Sequence, residues 1–392
     1  MNNTIDVPFL DLKAQYPLIR AEVGRKLDEI ISDAAFILGK HVEEFEREFA
    51  RAHAVKHCLG VSSGTDALHL ALQVLGVGPG DDVIVPVNTF IATAEAVSLV
   101  GARPVFVDCD DSYNMDADKV KALLAADRDR KIKAIMPVHL YGRPANMTRL
   151  CALAAEFDVQ IVEDAAQAHL ARWRSVKVGN FGTVAAFSFY PGKNLGAFGE
   201  AGALVTNDEA LYQRAKLLRA HGEITRYHHV AVGHNYRMEA IQGAVLATKL
   251  KHLSTWTEQR RKVAALYGQL LRDVDGIVTP LSDRDTYNVY HLYVIQAEDR
   301  DGLRQHLAEN GVATGLHYPV PLHLQPAYAE LGYREGDFPV AEAAAATILS
   351  LPMFPELTKE QITHVCERIR DYQAPRWRPL AAAEDQPRRQ AW

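Results

Sequence analysis

The chain reads as an α/β protein, a mainly parallel central sheet flanked by helices and followed by a smaller α+β domain. Three observations predict this. Short apolar runs recur at 83–87 (VIVPV), 104–107 (PVFV), 132–138 (IKAIMPV), 159–163 (VQIVE), 184–189 (VAAFSF) and 203–206 (ALVT). They are continuous rather than alternating, as strands buried on both faces are. Helical patterns at 66–75, 90–100 and 147–157 separate the first several of them, and strand, helix, strand in series builds a parallel sheet covered on both sides. Past about residue 255 the pattern changes: a charged helix near 256–272 leads to one apolar strand at 290–295 (YHLYVI), then to alternating helices and short segments.

The elements follow in order. Leu18, Ile19, Val23, Leu27, Ile30 and Ile31 recur at helical spacing, so an amphipathic helix opens the chain. The strand and helix series then fills a large domain, residues 1–255, and residues 256–392 form the smaller one. The stretch from Ala374 mixes Pro, Arg and Ala without a period and is expected to be a loosely attached tail.

Composition narrows the function classes. A chain of 392 residues, 48% of them hydrophobic, supplies core enough for two domains. A net charge of -6 without a long basic run argues against a nucleic-acid partner. Cys58, Cys109, Cys151 and Cys366 lie far apart with no C-x-x-C pair, which fits reduced thiols rather than disulfides or zinc. The N-terminus has no basic flank and apolar core of a signal peptide. No apolar run reaches the about 20 residues a membrane span needs. A cytoplasmic protein without a membrane partner is expected.

Ligands of such sheets gather at the carboxyl ends of the strands, and four segments fall there or at helix starts. In SSGTDALHLAL, Ser63, Gly64 and Thr65 precede an apolar helix, so free N–H groups and the positive dipole end make a phosphate site. An ordinary N-cap accounts for the same residues equally well. In VQIVEDAAQ, Asp164 follows a buried strand, a costly place for a carboxylate unless a cation meets it. A protonated pyridine nitrogen suits, with Gln167 donating to a ring hydroxyl; capping of a following helix is the alternative. In VAAFSFYPGKNLGAFGEAGALVTND, Lys193 lies in a Gly/Pro-rich turn after a strand, where partial desolvation yields the neutral amine that a Schiff base needs. Ser188 is placed to add a hydroxyl to the phosphate. A Walker loop is excluded by Asn194, which stands where Ser or Thr is required, and no strand-linked G-x-G-x-x-G occurs. In RYHHVAVGHNYRMEAIQ, Asn235, Tyr236 and Arg237 are expected at the start of a long helix. His228, His229 and His234 lack the carboxylate and cysteine company of a metal site, so no metal is expected. An aspartate, a lysine and a phosphate nest are together what pyridoxal phosphate requires.

These motifs resemble the DegT/DnrJ/EryC1/StrS family of sugar aminotransferases. The likeness runs from about Val7 to Tyr372 through FLDLKAQY, SSGTDAL, PVNTFIATAEAV, PVHLYGRPANM, VEDAAQAH, FSFYPGKNLGAFGEAGA, GHNYRMEAIQ, HYPVPLHLQPAY and SLPMFPELT. The resemblance implies the fold type I of pyridoxal-phosphate enzymes, with Lys193 carrying the cofactor and Asp164 at its ring nitrogen. It implies Gln167 at the ring hydroxyl, Gly64, Thr65 and Ser188 at the phosphate, and Phe90 stacked on the ring. Asn235 would reach the phosphate from a partner subunit, which implies a homodimer with shared sites. Tyr227, Arg237, His317 and Tyr318 are the candidates for the sugar-nucleotide side, with ordinary packing the alternative for each. The implied reaction moves an amino group from L-glutamate, leaving 2-oxoglutarate, to a nucleotide-linked keto-sugar. The SFYPGKNLGAFG stretch resembles members acting on 3-keto sugars, so a dTDP-3-keto-6-deoxyhexose is expected first. UDP-linked 3-keto and dTDP- or UDP-linked 4-keto sugars follow. A fold-type I lyase or desulfurase and a non-catalytic regulator are the rivals. Two departures stand out: Leu170 where many relatives carry glycine, and Glu200–Ala201 where relatives often show Asp–Gly. Relatives with histidine at the lysine position act as dehydratases, which Lys193 argues against.

Overall fold

The computed structural model describes residues 5–373. Seven strands make the central sheet: β1 His57–Val61, β2 Asp82–Pro86, β3 Arg103–Val107, β4 Ile132–Ile135, β5 Gln160–Asp164, β6 Val184–Ser188 and β7 Gly202–Thr206. Their order is β1-β7-β6-β5-β4-β2-β3. Parallel pairs join β6, β5, β4, β2 and β3, and β7 alone runs against both of its neighbours. The six expected apolar runs correspond to β2 through β7, offset by up to three residues at their ends. Their buried faces are Val, Ile and Ala rich, which is why the sheet stays dry on both sides.

Helices α1 Tyr16–Ser32 and α2 Lys40–His53 precede the sheet, and α3 Gly64–Val74 and α4 Ala92–Leu99 follow β1 and β2. Every side chain of α3 from Ala67 to Leu72 is buried, so this helix lies inside the fold against the sheet rather than on its surface. The helix Ala240–Leu271 runs without interruption through residue 255, where the division between domains was expected. Its first half packs Leu246, Ala247 and Leu253 with Phe45 and Phe49 of α2. Its second half joins Val263, Tyr267 and Leu271 to a separate core containing Ile295, Leu303, Val365 and Ile369. A three-stranded antiparallel sheet, Ile277–Val278, Tyr293–Ala297 and Ile348–Leu351, backs that second core. The expected tail from residue 374 lies outside the described residues. Among the described residues no helix is long and apolar enough to cross a membrane.

Asn235–Arg237 do not begin a helix, contrary to expectation. The helix starts at Ala240, and these three residues are extended. Tyr236 N donates to Arg219 O at 3.0 Å and Tyr236 O accepts from Ser62 N at 3.0 Å. Bridges Ala220↔Asn235 and Val61↔Arg237 complete the pairing. Long-range backbone bonds thus hold the segment beside the end of β1 and override its local helical pattern.

Candidate active site

The carboxyl ends of the parallel strands open into a cleft of about 700 Å³. Ser63, Gly64 and Thr65 follow β1, Thr89, Phe90 and Thr93 follow β2, and Val138 follows β4. Asp164 ends β5, Ser188 ends β6, and Lys193 lies in the turn beyond it. His291, His317, Tyr318 and Met353 close the cleft from the C-terminal part of the chain, with Phe9 and Leu10 from the N-terminus.

At its first wall, Ser63 is the N-cap of α3 and its Oγ accepts from Asp66 N at 3.1 Å. The cap is therefore real, yet it leaves the first N–H groups of the helix without intrahelical acceptors. Gly64 must be glycine: a Cβ there would stand 2.6 Å from Ser188 Cβ, which brings the helix start against the end of β6. The N-cap reading of this motif thus holds, and the same residues line the cleft.

Asp164 is 4% exposed. Its Oδ2 accepts from Thr93 Oγ1 at 2.8 Å and its Oδ1 from Ala166 N at 3.1 Å. A turn, not a helix, follows it, so helix capping does not account for this carboxylate. Burial pushes its pKa up, while the Thr93 and Ala166 hydrogen bonds and the charge of Lys193 oppose that rise. On the other face of the same strand, the fully buried Glu163 accepts from His139 Nε2 at 3.0 Å and from the N–H groups of Gly179, Phe181 and Gly182. Since His139 Nδ1 accepts from Ala145 N at 3.1 Å, its proton lies on Nε2. This network pins the strand end that carries Asp164.

Burial brings the Lys193 amine down to about 8, against the opposing pull of Asp164 and Glu200. Its Nζ makes no hydrogen bond among the described residues. Lys249, also brought to about 8 by burial, behaves differently, donating to Gly196 O at 2.7 Å and so bracing the turn that presents Lys193. Lys249 is thus tied to the loop backbone, whereas Lys193 is not.

Gln167 Oε1 accepts from Tyr141 N at 2.6 Å and its Nε2 donates to Tyr318 OH at 3.2 Å. The Phe90 ring, half exposed into the cleft, lies 5.6 Å from that of Tyr318. His317 is anchored by Ser350 Oγ at 2.9 Å from Nδ1, and burial lowers its pKa to about 4, so the imidazole is neutral.

The structure thus gathers Gly64, Thr65, Phe90, Asp164, Gln167, Ser188, Lys193, His317 and Tyr318 around one cavity. Asn235, Tyr227 and Arg237 do not line it. Arg237 Nε and Nη2 donate to Asn235 Oδ1 at 3.1 and 2.7 Å, and Tyr227 projects from the hairpin of Glu223–Thr225 and His228–His229, 79% exposed. His234 Nε2 is paired with Gln73 Oε1 at 2.8 Å, and no metal-holding group of three or more His, Cys, Asp or Glu occurs among the described residues. Sequence reading missed Thr93, Glu200 and His291 as cleft residues; a threonine buried in the otherwise apolar start of α4 was the one usable signal. Leu170 adopts φ +66°, the left-handed region where glycine is the easy choice, and bonds His53 Nε2 through its N–H at 3.2 Å. Its side chain does not line the cleft.

A model of the DegT/DnrJ/EryC1/StrS aminotransferase family matches residues 17–370. A pleiotropic regulatory protein of Geobacillus stearothermophilus is 46% identical over 371 residues, covering 94% of this chain and 99% of its own. A dTDP-3-amino-3,4,6-trideoxy-alpha-D-glucose transaminase of Streptomyces venezuelae is 46% identical over 367 residues, covering 93% and 96%. The crystal structure of S. venezuelae DesV superposes with a TM-score of 0.91 at 45% identity, covering 94% of this chain and 99% of that one.

Proposed function

The chain belongs to the DegT/DnrJ/EryC1/StrS aminotransferase family, and on that premise we propose that it aminates carbon 3 of a nucleotide-linked keto-deoxysugar. The acceptor is a dTDP-3-keto-6-deoxyhexose and the donor is L-glutamate. The family's cofactor is pyridoxal phosphate. One observation carries the catalytic reading: a partly buried lysine amine, without a hydrogen bond among the described residues and brought to about 8, shares a cleft with a buried carboxylate held by two donors.

The residues fit this cofactor. The start of α3, with Gly64, Thr65 and Ser188, offers N–H and hydroxyl donors to a phosphate. Asp164 offers an ionised oxygen to a pyridinium nitrogen, and Gln167 an amide to a ring hydroxyl. Phe90 supplies an aromatic face. When bound, the cofactor supplies the carbonyl that receives the amino group and the electron sink that makes the donor's Cα proton removable. The protein's part is positioning and proton transfer. Lys193 Nζ, its pKa lowered by desolvation, takes up that proton in its neutral form and returns it. Asp164, held by Thr93 and Ala166, offers its carboxylate at the end of β5. His317 and Tyr318, neutral and anchored by Ser350 and Gln167, present hydrogen-bonding groups to the sugar side. The closed walls of Phe9, Leu10 and Met353 exclude water from the transfer.

Asn235, Tyr227 and Arg237 complete the site from the second subunit of a homodimer. Support comes from their place outside the cleft of one chain. The exposed apolar side chains of Ile31, Phe36, Ile37, Tyr227, Val230 and Val232 agree with it. The regulator reading is disfavoured because a purely regulatory protein has no need of a free, desolvated amine beside an ionised carboxylate.

The test is spectroscopic. Purified protein should carry a band at about 400–430 nm that falls on adding L-glutamate, and the bleached protein should regain it with a dTDP-3-keto sugar. Recovery with a 4-keto sugar alone would move the reading to carbon 4. A band indifferent to glutamate would point to another donor or to the lyase reading.

A further inference from the structure

We infer that Thr93 is a positioning residue for Asp164, and that Thr89 backs it in a hydroxyl chain that fixes how this carboxylate faces the cofactor. The inference rests on the reading of Asp164 given above. The first turn of α4 sets Thr93 Oγ1 2.8 Å from Asp164 Oδ2, and Thr89 Oγ1 lies 3.0 Å from Thr93 Oγ1. All three side chains are buried.

Proton counting fixes the direction of the chain. An ionised carboxylate only accepts, and a hydroxyl carries one proton. Thr93 therefore gives its proton to Asp164, which leaves Thr89 as the donor to Thr93. The two bonds point the same way and polarise each other toward the carboxylate. Ala166 N–H holds the other oxygen at 3.1 Å. With both oxygens tied, the carboxylate cannot turn without breaking a hydrogen bond in a buried site. A buried threonine in the first turn of a helix commonly bonds back to a backbone carbonyl; here its hydroxyl goes to a residue 71 positions away. Packing alone would be served as well by valine, which has the same shape. The hydroxyl is what valine lacks, and Asp164 is what it serves.

The other titratable groups around this carboxylate are Lys193, whose charge favours its ionised form, the His139 imidazole and the Tyr318 phenol. None of them replaces a donor at Oδ2. Without Thr93, Asp164 takes up a proton at a higher pH, and cofactor binding that needs the ionised form is lost at a higher pH.

The experiment compares cofactor-free wild type, Thr93→Val, Thr93→Ser and Thr89→Val. Pyridoxal phosphate is titrated into each and followed by its bound absorbance band over the neutral and acidic range. Thr93→Val should bind about tenfold more weakly at neutral pH, the size of a lost hydrogen bond to a charged group, with the acidic limb of binding moved to higher pH. Thr93→Ser should restore both quantities, and Thr89→Val should shift both in the same direction by less. Wild-type affinity and an unmoved acidic limb in Thr93→Val would overturn the inference while leaving the cofactor reading intact. Equal impairment of the Ser and Val variants would overturn it too, since the effect would then belong to methyl packing. A wild-type protein with no band at all would sink the cofactor reading and this inference with it.

Discussion

Raising the pH over cofactor-free protein titrates the Lys193 amine well before an ordinary lysine, and the consequence can be worked from its environment. Burial brings its pKa to about 8 from 10.5. At pH 7 about one amine in eleven is then neutral, against about one in three thousand for a solvated lysine, roughly a 300-fold gain in the form that attacks a carbonyl. Mixed with excess pyridoxal phosphate in a stopped-flow cell, the protein should develop its absorbance band at a rate that climbs about tenfold per pH unit below 8 and levels off above it. Asp164→Asn removes a charge that holds the proton on, so the levelling should begin at lower pH. The same shift affects stability. The folded pKa lies below the unfolded one, so between 8 and 10.5 the unfolded chain binds the extra proton and stability rises with pH through that window. Below 8 both states are protonated and the folded protein bears the full burial penalty. A rate that keeps climbing to 10.5 would refute the reasoning, because it would mean that the amine is hydrated.

Other expectations follow from the same geometry. Lys193→Ala should remove both the absorbance band and turnover while leaving thermal unfolding of the cofactor-free protein unimpaired; retained turnover would show that the nucleophile lies elsewhere. Gly64→Ala forces a Cβ to 2.6 Å from Ser188 Cβ, an overpacking expected to cost about 1–3 kcal/mol in denaturant unfolding and to weaken cofactor binding with it. Mixing inactive Lys193→Ala with inactive Asn235→Ala should recover up to about a quarter of wild-type activity if the sites are shared across a two-fold axis, and nothing if they are not. The buried Asp108 accepts from Lys119 Nζ at 2.7 Å and from Val340 N and Ala341 N at 3.2 and 2.9 Å, so it caps the helix Pro339–Thr347 from the end of β3. Asp108→Ala should lower the unfolding free energy by about 2–4 kcal/mol; a change too small to measure would mean that water satisfies that helix end in its place.

Legibility followed the range of the interactions. The parallel strands were visible because each is a continuous apolar run, and the lysine because Pro191, Gly192 and Gly196 mark a turn in which a long cation has no structural use. Strand β1 escaped notice: His57–Val61 is short and contains Gly60 and Cys58, and it is held by antiparallel pairing to β7 rather than by its own pattern. Asn235–Arg237 went the other way, with a helical pattern locally and extended backbone in the fold, because Arg219 and Ser62 bond that backbone. Leu170 stood out in the sequence as a departure from glycine, and its positive φ supplies the physical content of that difference.

By itself, the sequence determined the strand and helix alternation, the family, and the residue types that a phosphate, a pyridinium and a carbonyl each require. Those follow from local chemistry: periodicity, turn residues, and a charge where no charge is comfortable. Only the tertiary structure decided how Asp164 is held, that Lys249 is tied to Gly196 O while Lys193 is not, and that Asn235, Tyr227 and Arg237 stand outside the cleft of their own chain. Each depends on groups brought together from distant parts of the chain, as with Thr93 and Asp164 or Lys249 and Gly196. Burial then sets the energies, because the desolvation that lowers the Lys193 pKa exists only once the sheet, its helices and the C-terminal wall have come together around it.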